Sequence, residues 1–412
     1  MHTQALLGAR AVSWWLLVLL LIPLGTALAG EGFPASLSPD AAVSAALPLH
    51  PQVRAAEAEL QTAQAWSSRL RAPLSNPSLS STVSVDGRRA SLNLNQPLSL
   101  SGEGPAARQV AADRVEAAEA ALQRARFAVA AEVRLTYVDA AIALGLTEVA
   151  QDGVDLAARL RQAVGLQYEE GEASELDLRL ARLAEVQAAA RLLEAREVEA
   201  FALRALSERV GRSVAAADLS AAPLQAAPEP RDEPAWERSD QSAAAARLAQ
   251  AEAELRRQRA ASLAPLSLGA FASLEDEELF IGPTLGVTLP IFERNQGPRE
   301  QAEAQVSIAA AQRDVLSARV ESEQQTARRR VTEAEGLREQ LVADPLEEAR
   351  ATLRAVEAGY LAGQLDLPDT VLLQREVLDG EAACLALLRQ IAAARLDLML
   401  ATEDPALLGG AR

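Results

Sequence analysis

The sequence predicts a mixed α/β membrane protein in which each chain contributes four β-strands, as two hairpins, between very long coiled-coil helices. Three observations predict it. The chain repeats itself at a shift of about 192 residues. Each copy changes from helical to alternating periodicity and back. No stretch after the N-terminus approaches the roughly 20 apolar residues that a spanning helix needs, so a crossing has to be made by strands.

The elements follow in chain order. Arg10 precedes an apolar run over residues 11–24, with Trp14 and Trp15, and then Ala27-Leu28-Ala29. That order predicts a secretory signal over residues 1–29, cleaved after Ala29. The alternative is an N-terminal anchor, for which a run of about 14 residues is short. With no cysteine beside the cleavage point, N-terminal lipid attachment is excluded there.

The duplication is carried by matched residues. Ala72-Pro73-Leu74-Ser75 corresponds to Ala264-Pro265-Leu266-Ser267, Pro97 to Pro290, and Gly104-Pro105 to Gly297-Pro298. Tyr168, Gly171 and Asp177 correspond to Tyr360, Gly363 and Asp369. A register held over roughly 100 residues is an internal repeat. The expected units are residues 30–220 and 236–404, joined by an Ala/Pro-rich linker over 221–235 and followed by a tail over 405–412.

Within each unit, helical spacing predicts a first helix over 39–71 and again over 239–261. Ser91-Leu92-Asn93-Leu94-Asn95 then alternates strictly, and so do residues 284–291, which marks strands with one apolar face. Partner strands are expected over 79–85 and 266–272, with Asp86-Gly87 as a hairpin turn and Glu275-Asp276-Glu277-Glu278 as an acidic loop. Next come the arms. Val115, Ala118, Leu122, Ala125, Val129, Val133 and Tyr137 recur at 3-and-4 spacing, a coiled-coil seam of small residues. From Gly104 to Gly171 and from Gly297 to Gly363 the arms are nearly equal, each on the order of 100 Å at 1.5 Å per residue. Local breaks are expected at Gly153 and at Asp344-Pro345. Helices return over 174–212 and 367–402.

Composition removes whole classes of function. The chain holds one cysteine (Cys384), two histidines (His2 and His50) and two methionines (Met1 and Met399). No zinc cluster, disulfide frame or histidine dyad can be built from that set, so no cofactor or catalytic residue is expected. His50 before Pro51 reads as a helix start, and Cys384 as a packed small residue. The formal net charge is −17, or −18 once Arg10 is removed, which excludes nucleic acid as a partner. All basic residues are arginine.

Four strands cannot close a barrel, and open edges are not tolerated in hydrocarbon. Two copies would give eight strands, filled by side chains; three give twelve and leave a lumen. A homotrimer is therefore expected, with a soluble sandwich or hairpin-tipped coiled coil as the alternative that the alternation alone leaves open.

In this order and with these motifs the chain resembles the TolC-type outer membrane efflux proteins over essentially its whole mature length. The matches are Leu47-Pro48-Leu49-His50-Pro51-Gln52-Val53, Gln96-Pro97-Leu98-Ser99-Leu100 and Tyr360-Leu361-Ala362-Gly363-Gln364-Leu365-Asp366-Leu367. Among them it is most similar to the cation-efflux, CzcC-like branch. The resemblance implies a homotrimeric, twelve-stranded barrel in outer-membrane lipid, continued by a helical tunnel in the periplasm whose tip meets an adaptor protein linked to an inner-membrane pump. It places the tip turns at Tyr168–Gly171 and Tyr360–Gly363, with Asp366 in the second turn, lining acids at Asp177 and Asp369, and strand ends at Pro97 and Pro290. Leu365 and Leu372 depart from the family's usual arginine and second aspartate, which puts a salt-bridged latch in doubt. The implied function is a passive exit duct, of the resistance-nodulation-division type of system, for metal cations, drugs or other cargo. The competing reading is a periplasmic coiled-coil adaptor or scaffold without a barrel.

Overall fold

A computed structural model describes residues 36–70, 76–84, 89–98, 101–219, 222–230, 238–262, 266–275, 278–287, 293–340 and 345–409. The first helical region is two helices, α1 (Pro39–Ala46) and α2 (Pro51–Arg69), where the sequence predicts one. Pro51 is the reason: it has no N–H to continue α1, but its fixed φ suits the first position of a new helix. Ser38 Oγ caps α1 through the Ala41 N–H at 3.2 Å, and His50 Nδ1 caps α2 through the Gln52 N–H at 3.3 Å.

Strands β1 (Ser78–Val83), β2 (Arg89–Leu98), β3 (Leu266–Glu275) and β4 (Glu278–Val287) form one antiparallel sheet in the order β1-β2-β3-β4. The two hairpins, far apart in sequence, join along β2 and β3, from Arg89 opposite Glu275 to Leu98 opposite Leu266. The register is unbroken across all three pairings, so the sheet has two clean faces. On one face Leu92, Leu94, Leu268, Leu274, Ile281 and Leu285 are all exposed. The opposite face carries Ser80, Ser91, Asn93, Asn95, Ser273 and Thr284. The acidic segment is shorter than the expected loop: Glu275 closes β3 and Glu278 opens β4, directly opposite each other. Asp276 and Glu277 lie outside the described residues.

The first arm is one helix, α3 (Glu103–Glu169, 67 residues), about 100 Å long at 1.5 Å per residue. It is not broken at Gly153, contrary to expectation. A Cβ there would sit 3.1 Å from Leu378 Cδ1, so the glycine is a notch that lets a neighbouring helix come close. The helix α4 (Glu175–Val210) returns along α3. A short turn of helix, α5 (Pro223–Ala226), leads to α6 (Ser239–Ala261) and the second hairpin. The second arm is α7 (Gln296–Gln340) followed by α8 (Pro345–Leu361), and α9 (Leu367–Thr402) returns. Pro345 starts α8, while Asp344 lies outside the described residues.

The main core lies where α1, α2, α3, α4, α5 and α9 meet, around Val129, Val133, Tyr137, Leu206 and Met399. Buried Arg134 donates from Nε to the Leu407 carbonyl at 2.8 Å and from Nη1 to the Ala226 carbonyl at 3.1 Å, and it pairs with Asp40. Buried Arg395 donates to the Ala227 carbonyl at 3.3 Å and to Glu335. Orphan carbonyls at the junction between the two units are thereby satisfied by charged donors, which a buried loop requires. None of the described helices is long and apolar enough to cross a membrane.

Candidate functional site: the paired helix turns

The two turns, α3 to α4 and α8 to α9, are built alike and lie together at the end of the helices remote from the sheet. Gly171 and Gly363 have φ of +81° and +69°. Only glycine takes that left-handed region without strain, and it ends a helix by turning the chain back. The Gly171 N–H donates to the Tyr168 carbonyl at 3.1 Å and the Glu172 N–H to Gln167 at 2.8 Å. In the second turn the Gly363 N–H donates to Tyr360 and the Gln364 N–H to Gly359, both at 2.9 Å.

Each returning helix then starts on a side-chain cap. Ser174 Oγ accepts the Asp177 N–H at 3.2 Å, while Asp177 Oδ2 accepts the Ser174 N–H at 2.9 Å and its hydroxyl at 2.6 Å. This reciprocal box satisfies two orphan amides. The Ser174 hydroxyl, then the Ser174 amide, hold the Asp177 carboxyl below its ordinary range. In the second turn Asp366 is itself the cap and accepts the Asp369 N–H at 2.9 Å. Asp366 and Asp369 are both exposed.

The two tyrosines, equivalent by sequence, differ in place. Tyr168 is 43% exposed, whereas Tyr360 is 8% exposed. Tyr360 packs with Leu160, Val164, Ala181 and Leu367, and its hydroxyl donates to Gln167 Oε1 at 2.7 Å. Burial, and then the charge of Asp177, raise the Tyr360 hydroxyl, which keeps it a neutral donor. One side-chain hydrogen bond thus ties the second hairpin to the first. Gln167 was not among the predicted residues: its repeat counterpart is Gly359, so the duplication hides it. Gly359 in turn leaves room for Leu365, whose Cδ1 would lie 3.1 Å from a Cβ there. Ser174 was legible as the start of a Ser-x-x-Asp box.

Of the other predicted positions, Pro97 lies at the end of the sheet nearest the helices, next to last in β2 and opposite Ser267. Pro290 lies outside the described residues. Above the tip a groove of about 280 Å³ opens between α3, α4 and α9, and the Gln374 side-chain amide facing it has no hydrogen-bond partner among the described residues. No group of three or more His, Cys, Asp or Glu side chains among the described residues is placed to hold a metal ion. Cys384 is half-buried and free.

Residues 42–212 match a family model described as outer membrane efflux protein. The cobalt-zinc-cadmium resistance protein CzcC of Cupriavidus metallidurans is 26% identical over 378 residues, covering 88% of this chain and 90% of that protein. Among solved structures, the outer-membrane channel OprN superposes with a TM-score of 0.73 at 19% identity, covering 90% of each chain. CusC, described through its folding and transmembrane channel formation, superposes with a TM-score of 0.68 at 17% identity, over 88% of this chain and 91% of that one.

Proposed function

We propose, from the match of residues 42–212 to the outer membrane efflux protein model, that this chain belongs to that family and that three copies of it form one passive exit duct. The carrying observation is the sheet: four strands in unbroken register, apolar side chains exposed on one face, both edges unpaired among the described residues. Such a sheet is stable in hydrocarbon only when closed, and twelve strands close it around a lumen. Three sheets form a barrel in the outer membrane, and the helices continue it as a tunnel into the periplasm. Exposed apolar residues on α4, among them Leu176, Leu183, Val186, Leu193 and Phe201, are the faces that neighbouring copies cover.

At the tip, Tyr360 and Gln167 hold the two hairpins together, and separating them opens the duct. Docking of a periplasmic adaptor, itself carried by an inner-membrane pump, supplies that force. Asp177 and Asp369 line the narrow end, where three-fold symmetry sets like charges near one axis and favours cations. The relative named for cobalt, zinc and cadmium resistance supports heavy-metal cations as the cargo. An adaptor or scaffold without a barrel would have no use for the exposed apolar face of the sheet.

The test is reconstitution of the mature protein. Detergent-stable trimers, outer-membrane fractionation and single-channel currents in planar bilayers are expected, together with cobalt, zinc or cadmium sensitivity when the gene is deleted. A water-soluble monomer confined to the periplasm, inert in bilayers, sinks the proposal. Replacing Asp369 with alanine should change divalent-cation block of the current; unchanged block removes the acidic ring and leaves the duct standing.

A further inference from the structure

A chemical anomaly stands on the polar face of the sheet. That face is Ser, Thr, Asn and Gly along most of its length, and it is the lumen face on the reading above, on which this inference rests. Two aromatic rings interrupt it. Phe271 on β3 lies opposite Gly282, and Phe280 on β4 lies opposite Ser273, so both point the same way as Asn93 and Ser91. They are diagonal neighbours, within reach of each other. In water-filled walls such rings have no hydrophobic reason to be there, and lipid-side anchoring is excluded by their face.

The surroundings narrow the role. A Cβ on Gly282 would come within 2.7 Å of Phe271 Cε1, so one edge of this half-buried ring lies against the bare backbone of β4. Phe280 is 48% exposed. Two residues nearer the strand ends remote from the helices, the same face carries Arg89, Glu275 and Glu278. Arg89 pairs with Glu275 at 2.6 Å, and Glu278 has no ion-pair partner among the described residues. Each copy thus sets two carboxylates and one guanidinium beside two aromatic rings, of which Phe280 is the exposed one.

We infer that Phe271 and Phe280 form a collar just inside the outer mouth that takes organic cations with an apolar body. The π-face attracts a poorly hydrated cation, the ring edge packs its carbon groups, and Glu278 adds long-range attraction. Small inorganic cations keep their water and pass. Hydrophobicity without charge selectivity is the competing outcome, and it is built into the test.

The experiment is block of single-channel current by tetrapentylammonium added at the face bearing the β3–β4 turn, in wild type, Phe280→Ser, Phe280→Leu and Phe271→Ser. Wild type should block at millimolar concentration, and Phe280→Ser should raise the half-block concentration about five-fold, the usual size of a partly exposed cation–π contact. Phe280→Leu, which preserves bulk and folding, should raise it nearly as much. Full block in Phe280→Leu overturns the aromatic assignment, and equal block in every variant removes the collar. A wild-type protein that carries no current fails earlier and takes the exit-duct reading with it.

Discussion

The two helix turns share one backbone conformation, yet their side chains find different partners. Both reverse at a glycine with positive φ, three residues after a tyrosine. In the first, Tyr168 faces outward and Gln167 stands one residue before it; in the second, Tyr360 is buried against Gln167 and Gly359 makes room for Leu365. Duplication supplies two identical folds of the chain. The tyrosine donor is present in both copies; divergence at Gln167 and Gly359 leaves the acceptor in the first turn alone, where it meets the second copy's tyrosine. The arms diverge likewise: buried Glu381 on α9 corresponds to Ala189 on α4.

The comparison can be broken hardest at the glycines. A Cβ added at Gly171 or Gly363 meets no atom within 4 Å, so the cost of valine there is chiefly backbone strain and should be similar at both turns. About 1–3 kcal/mol each is expected, read as a lowered Tm and trimer yield. Unequal losses would show that the turns are not equivalent.

Next comes the tyrosine pair. Tyr360→Phe leaves Gln167 without its donor and should cost about 1 kcal/mol, while Tyr168→Phe should stay within about 0.5 kcal/mol. A double-mutant cycle of Tyr360→Phe with Gln167→Ala should show coupling, and Tyr360→Phe alone should raise the channel's open probability. Equal effects of the two tyrosine variants would erase the asymmetry.

Glu381 gives a smaller and opposite effect. Its Oε1 has no hydrogen-bond partner among the described residues, and burial, with Asp152 and Glu148 nearby, raises its carboxyl despite Arg350. A carboxyl raised on folding opposes the folded state above its folded pKa, and the opposition fades as pH falls through it. Glu381→Gln should therefore stabilise at pH 8 by a few degrees in Tm and lose that advantage in acid, whereas Ala189→Gln should not.

The smallest effect is at the caps. Asp177 is depressed on folding, so its contribution is present above the ordinary carboxylate range and is lost as pH falls through the folded value. Asp177→Asn should remove that acid slope from the Tm of the tip, at a cost of a few tenths of a kcal/mol at neutral pH.

What could be read directly from the residues was whatever depends on near neighbours. Side chains alternate along any strand, so Ser91 to Asn95 revealed two faces before any pairing was known. Gly171 and Gly363 announced turns because positive φ is a property of one residue. Repetition of those local signals at one interval set the order of elements in both halves.

Three-dimensional packing decided everything whose partner is distant in the chain. Gly153 looked like a helix breaker, and only the arrival of Leu378 from another helix makes it a packing notch inside an unbroken α3. Gln167 carried no signal until Tyr360, 193 residues on, was brought to it. Alternation made two hairpins visible, yet only the register of β3 against β4 set Phe271 beside Phe280, and only the join of β2 to β3 put them on the face of Asn93 and Ser91. The reason is physical: backbone conformation is governed by each residue and its neighbours, whereas a hydrogen bond or a close contact depends on which surfaces the folded chain brings within a few ångströms.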